Sequence, residues 1–182
     1  MIWGVAYVVC LAALFVRVRS PDAAPPPPHR PLLDEPLALV IWHHRLFHAL
    51  LLAAPLEAVV RGGRPGGRLL GLVALATGVA LYRVGGTALG DALSPFVLPR
   101  PGAGLVTHGP YRWVRHPMYL GQALIAAGAP LALGARWTFV LTGAALVVLI
   151  ARIALEEAAL ERTYPEFPQY ARRAKRLLPF LF

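Results

Sequence analysis

The stretch GPYRWVRHPMYLG, Gly109 to Gly121, sets two arginines, a histidine, two tyrosines and two prolines between strongly apolar runs. Polar groups bordering a bilayer are costly and mark functional sites. Gly109-Pro110 reads as a turn, and Pro117 suits the first turn of a helix, where a missing amide donor costs nothing. His116 then falls at a helical N-terminus, whose free amides and dipole favour an anionic group. Tyr111 and Tyr119 add rings with polar tips. The stretch is expected to form a rim for a ligand carrying both a carboxylate or phosphate and an aromatic part. Arg112 and Arg115 equally suit contact with lipid phosphates, and the tyrosines an interfacial aromatic belt.

A second polar cluster, RIALEEAALE, runs from Arg152 to Glu161. Arg152 and Glu156 are four apart and share a helical face, while Glu157 is turned by about 100° from Glu156. A cation and a carboxylate at this border form a partly desolvated pair, suited to binding or to a structural ion pair. A third cluster, HHRLFH, holds His43, His44 and His48. His44 and His48 are spaced to hold a metal, with Glu57 a distant partner. Membrane di-iron sites need more histidines than His29, His108 and His116 can add, so no metal is expected, and these residues read as polar packing, a wet cavity or a substrate-side surface.

The elements that must position these groups follow from composition. The 182 residues are 57% hydrophobic and 15% charged, with a mean hydropathy of +0.57. Soluble domains carry roughly 25% charged residues, so the chain reads as an integral membrane protein, and the dyad patterns of a barrel are absent. Five apolar segments predict an all-α polytopic bundle: Ile2–Val16, Leu37–Val60, Leu69–Leu89, Pro117–Leu133 and Trp137–Leu155. One domain is expected over residues 1–182, with its motifs from about 100 onward. No Lys or Arg precedes the first segment while Arg17 and Arg19 follow it, unlike a secretory signal. Ser20 to Pro36 is proline-rich and predicts a semi-rigid surface connector. The tail after Glu157 alternates charge with Leu160, Tyr164, Phe167 and Tyr170, and is expected to lie at the interface.

The net charge of +9 comes from 18 basic residues, all but Lys175 arginine. They cluster at the ends of apolar runs, which argues for lipid phosphates and against nucleic acid. Arg17, Arg19, Arg30, Arg100, Arg112, Arg115, Arg162, Arg172, Arg173, Lys175 and Arg176 would share one side, against Arg61, Arg64, Arg68 and Arg136 on the other. The positive-inside rule then places the N-terminus outside and the tail in the cytoplasm of the inner membrane. A short GAR turn, Gly134 to Arg136, would fold the last two spans into a hairpin and return Glu156 to the level of His116 and Tyr119. Cys10 stands alone and cannot form an internal disulfide.

GLVTHGPYRWVRHPMYLG, Gly104 to Gly121, followed by RIALEEAALERTYPEFPQYARRAKRLLP, Arg152 to Pro179, resembles the integral-membrane methyltransferases typified by isoprenylcysteine carboxyl methyltransferase and its phospholipid methyltransferase-like relatives. The resemblance implies methyl transfer from S-adenosylmethionine to a lipophilic small molecule or lipid entering from the bilayer, including a prenylcysteine-like carboxylate. It further implies that Leu105, Val106, Tyr111, His116, Pro117, Met118, Tyr119 and Glu156 hold the cofactor. Arg152 would stand at the substrate end, with Arg152 and Glu156 the catalytic pair. Family members often carry a histidine just ahead of the LVT stretch, where Ala103 and Gly104 stand here, and glycine in place of Pro165. NADPH-dependent sterol or isoprenoid reductases share a similar C-terminal motif set but carry further polar motifs upstream. A nonenzymatic membrane binding protein would show the same hydropathy. Membrane lipids are the expected surroundings, with no obligatory protein partner.

Overall fold

A computed structural model describes residues 2–15, 36–62 and 67–177. The chain is all-α: α1 spans Ile2–Phe15, α2 Leu37–Arg61, α3 Arg68–Leu89, α4 Pro117–Leu133, α5 Thr138–Thr163 and α6 Phe167–Arg173, with short 3-10 turns at Gly90–Ala92 and Gly109–Arg112. Three helices, α2, α3 and α5, are long and apolar enough to cross a membrane. The five apolar segments all form helices, but α1 and α4 have only 14 and 17 residues. At ~1.5 Å per residue α4 covers about 25 Å, less than a full hydrocarbon core. Residues 20–35 of the proline-rich connector lie outside the described residues. So do Arg17, Arg19, Arg30 and Arg64 of the charge comparison.

α5 outruns its apolar segment, continuing past Leu155 to Thr163. Hydropathy ends where Arg152, Glu156 and Glu157 begin, yet alanine, leucine, glutamate and arginine are all strong helix formers. The helix stops where Pro165 forbids the preceding residue a helical conformation; Tyr164 is extended, with φ −120° and ψ 106°. The hairpin between α4 and α5 is as short as expected, with Gly134 closing α4 at φ 71°.

The closest helix pair is α3 with α4, and its seam is built of glycine. Gly71, Gly78 and Gly85 recur every seven residues and so share one face of α3; Gly121 and Gly128 repeat the spacing on α4. A Cβ on Gly78 would lie 2.6 Å from the Gly121 carbonyl oxygen, and one on Gly128 would lie 2.7 Å from Leu75 N. Lipid supplies no hydrophobic drive to associate helices, so close backbone approach through small residues is what holds such a pair together. Leu50 and Ala54 of α2, Leu75 of α3, and Ile125 and Ala129 of α4 fill the buried centre.

Polar bonds tie the remaining helices. Tyr7 donates to the Leu51 carbonyl at 2.8 Å, and Arg83 to the Ala13 carbonyl at 2.5 Å, which fastens α1 to α2 and α3. Thr142 Oγ1 donates to Ala126 O at 2.8 Å between α5 and α4. Glu57 of α2 accepts from the amides of Trp137 and Thr138 and from the Thr138 hydroxyl, each at 2.8 Å. Glu57 therefore caps α5 from another helix, satisfying orphan donors with a charge the helix dipole favours.

Candidate active site

Where α4 begins and α5 passes its apolar part, the two polar clusters of the sequence meet. Pro117 opens α4 and His116 immediately precedes it. Tyr119, one turn on, reaches α5. Its hydroxyl donates to the Glu156 carboxylate and accepts from Arg152 Nε at 2.8 Å. Arg152 and Glu156 are thus joined through a tyrosine on another helix. Arg152 is 3% exposed. Its Nη2 donates to the Pro95 carbonyl, anchoring the loop before α4, while its Nη1 is buried without a hydrogen-bond partner. A buried guanidinium proton left unpaired is costly, and a ligand oxygen would relieve that cost.

Glu157 makes a separate centre. It accepts from Arg115 Nε at 2.7 Å, from His116 Nε2 at 3.1 Å, and from Arg176 Nε and Nη2 at 2.9 and 2.6 Å. His116 must carry its proton on Nε2, because a carboxylate only accepts. Its Nδ1 lies 3.9 Å from Glu156, so the ring sits between two carboxylates. Arg115 also donates to the carbonyls of Ala171 and Ala174 at 2.8 and 2.6 Å, binding the C-terminal end of α6. The lipid-phosphate reading of Arg115 is therefore corrected: the internal carboxylate and carbonyls hold it, and only the neighbouring Arg112 is exposed, with its guanidinium 4.4 Å over the Trp113 ring.

The tail closes the arrangement from outside. Val114 and Lys175 form a parallel bridge, with Lys175 N donating to Trp113 O at 3.0 Å and Arg115 N to Lys175 O at 2.7 Å. Tyr170 donates to Tyr111 O at 2.8 Å, and Tyr164 to Ala103 O at 2.7 Å. Burial pushes the Tyr170 phenol up to about 12 and raises those of Tyr111 and Tyr164 as well, so these hydroxyls remain donors throughout the neutral range. The expected interfacial tail is a docked wall as far as residue 177; Leu178 and Phe180 lie outside the described residues.

Together these elements line an open cavity of about 380 Å³, within the roughly 300–1,000 Å³ usual for small-molecule sites. Leu105, Val106, Tyr111, His116, Met118, Tyr119, Arg152 and Glu156 all line it. Pro117 does not: its ring is buried against α3, where a Cβ on Gly85 would come within 3.5 Å of it. Residues 92–100, Tyr82, Gln122, Tyr164 and Tyr170 also line the cavity, and sequence reasoning passed over them as a site. It also missed Glu157 as a hub, although a doubled carboxylate facing an Arg-His pair was a usable signal. His43 is buried on the cavity wall with its ring edge-on to Tyr119. His44 and His48 each turn Nδ1 back to a carbonyl of their own helix, at 2.8 and 2.6 Å. Among the described residues no group of three metal-ligating side chains gathers.

The site's chemistry is one of binding and alignment: a partly exposed carboxylate and a buried cation bridged by one tyrosine hydroxyl, with aromatic and aliphatic side chains lining the cavity around them. A family model described as phospholipid methyltransferase matches residues 67–166, which contain the α3–α4 seam, the cavity loop and both polar clusters. The chain is also similar to the uncharacterized protein YpbQ of Bacillus subtilis (strain 168), being 32% identical over 124 residues that cover 67% of this chain and 72% of that one.

Proposed function

The chain belongs to the phospholipid methyltransferase family, and we propose that it transfers a methyl group from S-adenosylmethionine to a lipophilic acceptor that enters from the bilayer. The observation that carries this reading is the junction of Tyr119, Glu156 and Arg152 on one cavity wall. The donor set suits the cofactor: Glu156 would meet its ammonium group, and Leu105, Val106, Tyr111 and Met118 would cover its apolar and aromatic parts. When bound, the cofactor supplies a methyl already activated on a sulfonium, so no covalent nucleophile from the protein is needed. The chain's own residues then have two tasks, holding the reactants in line and excluding water.

Arg152 serves the acceptor end. On the cavity wall its guanidinium can hold one oxygen of an acidic head while another stays available to attack, and a fixed cation there disfavours an incoming ammonium. Tyr119 fixes both charged side chains. The docked tail, with Tyr164 and Tyr170, keeps water from the cavity. Following the charge distribution, the N-terminus lies outside and this end of the bundle faces the cytoplasm.

Calorimetry on the detergent-solubilised protein tests the reading. S-adenosylmethionine and S-adenosylhomocysteine should bind and NADPH should give no heat; NADPH binding alone would turn the assignment to a reductase. Glu156→Gln should weaken adenosyl-ligand binding, and Arg152→Ala should chiefly abolish turnover on extracted membrane lipids. Unaltered binding and turnover in both variants would remove these residues from the site.

A further inference from the structure

The histidines of α2 take no part in the junction of Tyr119, Glu156 and Arg152, and they precede the stretch matched to the family, yet they lead to that junction. The Tyr119 ring meets His43 at 6.2 Å between centroids, His43 meets His44 at 5.4 Å, and His44 stacks on His48 at 6.5 Å. The row starts at the cavity wall, where His43 is buried and His44 still lines the cavity. It ends on the outer surface of α2, where His44 and His48 are both exposed. That helix is one of those long and apolar enough to cross a membrane, and His48 lies ~17 Å along its length of about 38 Å, beyond the first turns. The same i+4 row continues as Leu52 and Leu56, 72% and 65% exposed, the apolar side chains that contact with lipid favours. Imidazoles in such a row are costly and mark a substrate path. Each donates Nδ1–H to the carbonyl four residues back, since a carbonyl only accepts. In the neutral ring that tautomer leaves Nε2 as an acceptor, and among the described residues neither exposed ring makes another hydrogen bond.

We propose that His44 and His48 form a lateral entry subsite, which takes the head of the lipophilic acceptor from the bilayer and passes it along His43 into the cavity beside Tyr119. Two exposed imidazole acceptors suit a head that donates a hydrogen bond, such as a hydroxyl, an amide or a protonated carboxylic acid, and offer nothing to a head with acceptors alone. An uncharged donor is also the form in which such a head crosses hydrocarbon at least cost. This rests on the methyltransferase reading, since it assigns the route by which that reaction's acceptor arrives.

The test uses the full chain in lipid nanodiscs saturated with S-adenosylhomocysteine, with radiolabelled 1-dodecanol and dodecyl methyl ether as probes. Both have one apolar tail and one oxygen; only the alcohol donates. After subtraction of uptake by protein-free nanodiscs, wild-type protein should hold the alcohol about fivefold more tightly than the ether, the worth of one net hydrogen bond. His44→Leu combined with His48→Leu, side chains suited to a membrane helix, should bring that ratio to about one with S-adenosylhomocysteine affinity unchanged. His44→Gln combined with His48→Gln keeps an acceptor near each Nε2 position and should preserve the preference. A wild-type ratio near one, no saturable binding of either probe, a preference that survives the leucine pair or vanishes in the glutamine pair, or loss of S-adenosylhomocysteine affinity in the leucine pair overturns the proposal. Absence of S-adenosylhomocysteine binding to the wild-type protein would instead refute the underlying function, so the two failures are distinct.

Discussion

Gly121→Ala is the sharpest test of how the α3–α4 seam positions the cavity. A Cβ there would lie 2.6 Å from Gly78 O and 2.8 Å from Tyr82 N, both backbone atoms that no rotamer change can move. Ordinary carbon–oxygen contact begins at about 3.3 Å, so the helices must part by roughly 0.7 Å. Overpacking of this kind costs about 1–3 kcal/mol. The same displacement shifts Tyr119, half a turn away, against its partners on α5. A shift of that size disturbs its 2.8 Å bond from Arg152 Nε, and misplacements near 1 Å can cost on the order of a hundredfold in rate. Gly143→Ala is the control, because a Cβ there meets nothing within 4 Å. The measurements are thermal unfolding in detergent and turnover on extracted membrane lipids with labelled methyl donor. Gly121→Ala should lose stability and most of its turnover, whereas Gly143→Ala should retain both. If the two variants melt within about 1 °C of each other and turn over alike, the close seam does not set the site.

Tyr119→Phe keeps the ring and deletes the hydroxyl that joins Glu156 to Arg152; bonds to charged groups are worth about 1.5–3 kcal/mol, so kcat/KM should fall roughly ten- to a hundredfold while the protein remains folded by circular dichroism. Glu157→Gln should release the tail at a cost of about 2 kcal/mol, less than for a fully buried pair because the Arg176 side chain is 38% exposed; faster hydrogen exchange over residues 167–177 would register it. Tyr170 links tail docking to pH. Its pKa is raised in the folded state to about 12, so its contribution is complete below the unfolded value near 10 and is lost as pH rises from there through 12. Protection of the tail from proteolysis should therefore fall across that window, and Tyr170→Phe should flatten the dependence.

The sequence made the spans legible because bilayer hydropathy is a strong local signal, and α4 begins and ends at Pro117 and Leu133 as the apolar run does. It placed the end of α5 too early because hydropathy falls at Arg152 while helix propensity does not. The seam was less visible: a glycine every seven residues reads locally as a weak helix, and only a facing backbone gives the spacing meaning. In the site, the paired motifs pointed to the cavity wall, whereas Pro117 proved to serve the helix start and the packing on α3. Glu157 escaped because its partners are 19 to 42 positions away and each separately reads as a surface cation.

The parallel bridge between Val114 and Lys175 constrains the order of biosynthesis. Translocation can deliver every helix from α1 to α5 into the lipid while the cavity is still open on one side, because the wall that shuts it is translated after them. A ribosome that stalls before Lys175 would leave an inserted protein with an incomplete cavity wall, and the nascent chain completes that wall only once that stretch is free to fold back.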